Sequence, residues 1–473
     1  MAPAGTAPLK DLRRAGWAGM RPGRAGPALA ALFSLAALVA LAARLGDARG
    51  IDTDLYPRWY GLRALLLAGR NPYAPEVTRA LAEQAWLFGG RVSIAGPPTA
   101  LETVFGFLYP LPGTLLLSPL ALLPYPVALA VFLVALAVLL PIAAWLVVEA
   151  SSMAESAQMA SPGRQYTRML AVPLALCFLP AWASLLLAQP AALVVVLVAL
   201  ALWLEARGAG GGALAGGGAL AAAAALKPHL LALLAPCWLV RAALEARRGS
   251  TRACAWLAGM LLGAVVPAVV ALMLVPSWPA DFLAAARRYY EVAPARPALL
   301  IATQAILPRP VALALAAAGA AALLGWTVIA WLGGACRARG GISIAASRAL
   351  VTTALLVPPA WETNAIVLLI PLAAMLARLE HARGTAAGLA FVAGSAVLST
   401  LDAPLTAVLG WQNGTLLITL YAALLAAAES YCSRASSAGP GGRYRGPLAT
   451  TRAVVRHPRC GAAAGAAAPS RRE

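Results

Sequence analysis

Two carboxylates one residue apart, Asp52 and Asp54, open the stretch IDTDLYPRWYGLRALLLAGRNPY between Ile51 and Tyr73. In an extended segment they point the same way from either side of Thr53, and on a helix they diverge. A carboxylate partly withdrawn from water has a raised pKa and can take a proton from a hydroxyl as a general base. The same residues have a structural use, because an aspartate ahead of an apolar run such as LYPRWYGLRALLLAG is a common helix N-cap. One aspartate can cap while the other works. Arg58 and Arg63 are close enough in sequence to pair with Asp54, which would lower its pKa and weaken it as a base.

The other candidates lie far along the chain, in turns. Lys227 stands between two apolar segments, where a lysine is costly unless it reaches the headgroups or meets an anion, and His229 is beside it. Arg287 and Arg288, with Tyr289 and Tyr290, form a basic aromatic patch that could clamp a phosphate or anchor a loop to the interface. Gln189, Trp361, Glu362 and Asn364 complete the polar turns. With 3 histidines and 6 cysteines, and no CxxC pair, neither a zinc site nor a disulfide framework is expected, and no metal or cofactor is called for.

What must position these residues is a set of membrane helices. Of the 473 residues, 61% are hydrophobic and 12% charged, which excludes an ordinary soluble domain. Apolar blocks recur along the chain at lengths suited to spanning helices, for an all-α polytopic protein of about twelve spans. The net charge of +19 gathers in tails and short loops, so it reads as topology and not as a nucleic-acid face.

A basic N-terminal segment, residues 1–26, is placed in the cytoplasm, followed by a retained first helix over Leu29 to Leu45. Residues 27–433 form the transmembrane body. Within it, the loop 46–108 balances its acids against its arginines, as expected of an extracytoplasmic loop. Pro75 stands at an N1 position, with Val77, Leu81 and Gln84 following at helical spacing, so a helix lies there, either in the interface or on the protein's outer face. Residues 109–126, YPLPGTLLLSPLALLPYP, are apolar but short and cut by prolines, which predicts a re-entrant or interfacial hairpin. Spans are then read near 127–148, 169–187, 190–206, 211–226, 229–240, 253–275, 310–334, 346–360, 363–378, 386–401 and 408–428.

Counting alternately from a cytoplasmic start puts Arg207, the cluster Arg241 to Arg252, Arg337 with Arg339, Arg378 with Arg383 and the arginine-rich tail 434–473 all inside. The tail composition suits a disordered segment at an anionic leaflet. The loop 46–108, Gln189, the Lys227 to His229 turn, the loop 276–308, the turn Pro358 to Asn364 and Asp402 then share the outer face. Gly208 to Gly218 lacks the GK[ST] ending of a phosphate loop and is expected to serve close helix packing.

The pattern D-L-Y-P-R-W-Y-x7-A-G-R-N-P-Y from Asp54 to Tyr73, then Tyr109-Pro110-Leu111, Gln189-Pro190, Leu226-Lys227-Pro228 and Pro358-Pro359-Ala360-Trp361, resembles glycosyltransferase family 87. The order and spacing of these motifs, over about residues 50 to 375, carry the resemblance. That family belongs to the GT-C superfamily of polytopic enzymes using polyprenyl-phosphate-linked sugars. The resemblance implies an inverting sugar transfer on the extracytoplasmic side of the plasma membrane, with both termini cytoplasmic. The base would be an aspartate of the first loop, matched best by Asp54 and next by Asp52. The implied partners are a polyprenyl-phosphate hexose, mannose by analogy, and an acceptor hydroxyl on a glycolipid, glycan or protein. The chain departs from the family at the last turn, where histidines are common and Glu362, Thr363 and Asn364 follow Trp361, and at Ala188, where the family has a glycine before the glutamine. A transporter or lipid flippase remains the alternative. It should show ionisable residues near span centres and repeated segments, neither of which is clear here.

Overall fold

A computed structural model describes residues 53–88, 106–155, 163–208, 210–292, 295–332, 341–359, 362–409 and 415–437. The first helix expected over Leu29 to Leu45, Asp52, Trp361 and nearly all of the tail 434–473 lie outside the described residues. Every regular element among the described residues is helical.

The chain enters α1 (Leu55–Ala68), which ends on Gly69 in the left-handed conformation, and continues into α2 (Pro75–Phe88). In α2 the expected periodicity holds, with Val77, Leu81 and Ala82 buried against the protein, so this amphipathic helix packs on the protein's own body. The proline-rich segment becomes three short helical turns, Leu111–Thr114, Leu115–Leu117 and Ser118–Ala121, too short to cross a bilayer. There follow α3 (Tyr125–Glu155), α4 (Gly163–Cys177), α5 (Leu179–Leu186), α6 (Ala191–Arg207) and α7 (Gly210–Leu226). A turn of 3-10 helix, Pro228–Leu231, leads to α8 (Leu234–Arg247), α9 (Thr251–Leu274), α10 (Trp278–Val292), α11 (Ala298–Gln304) and α12 (Arg309–Leu332). After α13 (Gly341–Leu356), a 3-10 stretch, Glu362–Leu368, runs into α14 (Leu369–Arg383), α15 (Thr385–Leu409) and α16 (Thr415–Ser437).

By length and composition, Tyr125–Met153, Thr251–Leu274, Arg309–Leu332 and Thr363–Arg383 can each cross a membrane. The pair Arg168–Cys177 and Leu179–Leu186, bent by 60°, makes a fifth if it is one span. Other apolar stretches form shorter helices, among them Gly211–Leu226 and Ile344–Leu356, so the described residues support four or five crossings by this measure. The turn expected at Asp402 is not formed: α15 continues through it to Leu409. Leu401 and Leu405 are apolar at helical spacing around it, and one aspartate does not break a helix.

The bundle is built from inside out around α14, buried along almost its whole length. The outer helices α9 and α12 show the opposite pattern, with Leu261, Met273 and Ile329 exposed, as suits a lipid-facing surface. Ser250 caps α9 by accepting a hydrogen bond from the Ala253 amide at 3.2 Å.

The Gly/Ala-rich segment is a packing device, as its composition suggests. A Cβ on Gly217 of α7 would lie 2.1 Å from the Trp256 carbonyl oxygen, and one on Gly259 of α9 would lie 1.9 Å from that of Leu214. Gly259 and Gly263 form a G-x-x-x-G pair, and the two backbones meet where side chains are missing. Gly259→Ala is therefore expected to cost about 1–3 kcal/mol through overpacking against main chain that cannot yield. Thermal unfolding in detergent measures this, and an unchanged midpoint would contradict the close approach.

Candidate active site

Asp54 stands at the N-terminus of α1 with φ −67° and ψ −15°, yet its side chain makes no capping hydrogen bond. The helix start is secured in other ways. The Asp54 amide donates to the Leu187 carbonyl at 2.8 Å, and the Thr53 hydroxyl bonds the Tyr125 phenol. The half-buried Asp54 carboxylate is thus held in place by its backbone, and the two uses left open by the sequence separate here: the N-cap position is occupied without use of the side chain.

The turn that receives Asp54 contains Gln189. Ala188 has φ 46°, in the left-handed region where glycine is at ease, which explains a glycine preference at this position. Gln189 is buried, its main-chain N–H donates to the Ser184 carbonyl at 2.7 Å, and its side-chain Oε1 is buried with no hydrogen-bond partner.

Arg58 lies one turn along α1 from Asp54. It does not neutralise the carboxylate by an ion pair among the described residues. Its guanidinium donates to the Asp54 main-chain carbonyl and lies over the Tyr109 ring, 3.4 Å from the centroid. Arg63 turns away, donating to the Ala121 carbonyl at 3.1 Å. Tyr109 is fixed from the other side, its carbonyl accepting from the Tyr73 hydroxyl, while Tyr73 and Phe107 meet edge to face. Burial pushes the Tyr109 phenol up to about 12, with Arg58 pulling it down and Asp54 adding to the rise.

Lys227 arrives at the end of α7. It is buried, and its Nζ donates to Asn364 Oδ1 at 3.1 Å. Asn364 is oriented in turn by donating from Nδ2 to the Pro359 carbonyl at 3.0 Å, so the Pro-Pro turn serves as its mount. Burial lowers the Lys227 pKa to about 7, with the Asp54 carboxylate opposing the fall and Arg58 deepening it. Gly113 lets the proline-rich segment press against the end of α7: a Cβ there would lie 2.0 Å from the Ala225 carbonyl oxygen. His229, on the 3-10 turn, is half-buried beside Asn364 and its Nε2 has no partner.

Sequence positions 54, 58, 109, 187–189, 227–229 and 364 therefore meet at one end of the bundle. Lys227, His229 and Asn364 are neighbours, and Gln189 belongs to the turn that receives the Asp54 amide. The basic pair of α10 divides differently. Arg287 is exposed and pairs with Glu291 at 3.3 Å, whereas exposed Arg288 lines a cavity of about 460 Å³ with Tyr73, Phe107 and Asp281. Next to them Tyr289 feels Tyr109 and Asp54, and burial raises its pKa first. Glu362 begins the 3-10 stretch that carries Asn364. Two contributors escaped the sequence reading. Tyr109 was visible only as part of a Tyr-Pro-Leu motif, and Asp281, bonded to Asn71 at 2.8 Å and Ser277 at 2.7 Å, had no local signal at all.

A helical membrane protein that gathers a carboxylate, a buried lysine and an arginine at one end has the parts for transfer of a group from an anionic leaving group. Residues 107–296 match Glycosyltransferase family 87, which indicates a membrane glycosyltransferase. No curated protein and no solved structure matches the chain. The matched segment runs from Phe107 through Tyr109, Gln189, Lys227 and His229 to the end of α10, and so contains most of the walls of the site described above.

Proposed function

We propose that this protein transfers a hexose, mannose as the first choice, from a polyprenyl-phosphate donor to an acceptor hydroxyl on the extracytoplasmic face, with inversion at the anomeric carbon. The observation that carries the proposal is the Asp54 carboxylate, placed by its backbone and not spent on capping, within electrostatic reach of a buried lysine supplied by a distant turn. Asp54 takes the acceptor proton as the hydroxyl oxygen attacks the anomeric carbon. The bond from that carbon to the phosphate oxygen breaks, and the lipid phosphate leaves with the electron pair.

Charge then grows on the phosphate, and Lys227 with Arg58 is positioned to meet it. Asn364 holds the Lys227 ammonium, and His229 and Gln189 offer ring and amide groups to the sugar hydroxyls. Trp361, Glu362, Arg287 and Arg288 are further candidates for holding the donor, and Asp52 is the second choice of base. In this proposal about twelve spans lie in the plasma membrane, with both termini in the cytoplasm.

Purified protein in proteoliposomes with radiolabelled polyprenyl-phosphate mannose and membrane acceptors tests the activity. Label is expected in a lipid- or polymer-linked product that depends on the protein. Absence of transfer from any lipid-linked sugar tried, with translocation of the lipid across the bilayer instead, would favour a flippase.

A further inference from the structure

We propose that a cleft between α8 and α12, at the opposite end of the bundle from Asp54, binds the phosphate headgroup of an anionic membrane phospholipid. Helix α8 starts just beyond His229, and its 14 residues rise about 20 Å, so Arg241 to Arg248 lie far from the sugar-transfer site. One face of α8 from Pro236 to Arg248 and the end of α12 line a cavity of about 370 Å³, with its charged groups toward the far end of α8.

Two buried N–H donors in the wall of this cavity lack acceptors. Arg241 gives its Nε to Glu245 at 2.8 Å and its Nη2 to Glu205 at 3.3 Å, which leaves Nη1 buried and unpartnered. Trp331, 7% exposed, has its indole N–H buried without a partner. Buried donors are ordinarily satisfied, so two in one cavity wall point to an acceptor that binds there. Exposed Arg248 lines the same cavity and has no carboxylate partner among the described residues. The lining carboxylate, Glu245, is already engaged by Arg241. Around the cleft, Arg207, Arg247, Arg248 and Arg252 join Arg241 against Glu205 and Glu245, a positive balance that suits a phosphate.

The other walls identify a lipid and not a free ion. Val240, Leu244, Val328 and Leu332 line the cavity and are exposed, as apolar side chains facing hydrocarbon are. A phosphodiester whose acyl chains run down between α8 and α12 would use both the donors and these apolar walls. Inorganic phosphate would use the donors alone. Arginines counted inside by the topology put the cleft at the cytoplasmic leaflet, where anionic lipids gather.

The test uses full-length delipidated protein in detergent, titrated with phosphatidylglycerol, phosphatidylcholine or inorganic phosphate and followed by native mass spectrometry. Phosphatidylglycerol is expected to be retained and phosphatidylcholine lost. Trp331→Phe keeps an aromatic ring but loses the N–H, and Arg248→Gln removes an exposed charge, so both variants should fold, Arg248→Gln with an unchanged thermal midpoint and Trp331→Phe with a lowered one because the smaller ring underfills its core seat. Each is expected to weaken phosphatidylglycerol binding about tenfold, with Arg248→Lys restoring part of it. Equal retention of both lipids, or parental affinity in both variants, would overturn the site. Displacement of the lipid by low-millimolar inorganic phosphate would replace it with a free-anion site. Sugar transfer is not read in this experiment, so its result stands apart from the function proposed above.

Discussion

Asp54→Asn is expected to lower kcat for sugar transfer by about 10²–10⁴-fold, the range for loss of a general base, with the donor KM little changed. The substitution keeps size and hydrogen-bonding shape but cannot take the acceptor proton. Because the Asp54 side chain makes no capping bond, and asparagine is itself a good N-cap, thermal unfolding should stay where it is. That separation decides between the two uses of this residue. A variant that unfolds early but turns over normally once folded would return Asp54 to a structural role. Asp52→Asn, prepared beside it, should retain most activity, and full transfer by both single variants and the double variant would remove the first loop from the chemistry.

Much of the site was legible because its polar residues sit in an apolar chain where each one must be accounted for. Lys227, Gln189 and Asn364 stood out for that reason, and the alternation of basic clusters put them on one face. Two of the contacts are observed: the Gln189 turn accepts the Asp54 amide, and Lys227 bonds Asn364. The resemblance to glycosyltransferase family 87 holds over residues 107–296, which leaves the Asp54 motif and the Pro358 turn outside the matched segment. Those two parts are joined to it by geometry alone.

What sequence could not supply is long-range pairing. Arg58 is close enough in sequence to pair with Asp54, since neighbours one helical turn apart can meet. Its guanidinium instead stacks on Tyr109, about fifty residues away, a choice set by the close seat that Gly113 allows the proline-rich segment against α7. Asp281 likewise meets Asn71 across 210 residues, with nothing local to announce it. Helix limits failed for a different reason. Hydropathy marks where lipid or protein interior can lie but not which, so Asp402 was placed in a turn although α15 carries it within a helix.

Lys227→Gln is expected to weaken donor binding by about ten- to a hundredfold, the worth of a charged hydrogen bond to phosphate in a buried site. The pH dependence is the sharper test. In the unliganded protein burial brings the Lys227 pKa down to about 7 from the usual 10.5, whereas an anionic donor beside it restores the charged form. Between those values the unfolded chain holds a proton that the folded, empty site has released, so Lys227 makes stability rise with pH through this window. Its penalty is full below the folded pKa and gone above the unfolded one. Donor binding must therefore take up a proton above about pH 7, and affinity should fall by roughly tenfold per pH unit from there until the pKa of the complex is reached. Calorimetric titration in two buffers of different ionisation enthalpy counts that proton. Lys227→Gln should abolish the uptake as well as the slope, while a variant that keeps both would show that the proton resides elsewhere and that Lys227 merely fills the end of α7.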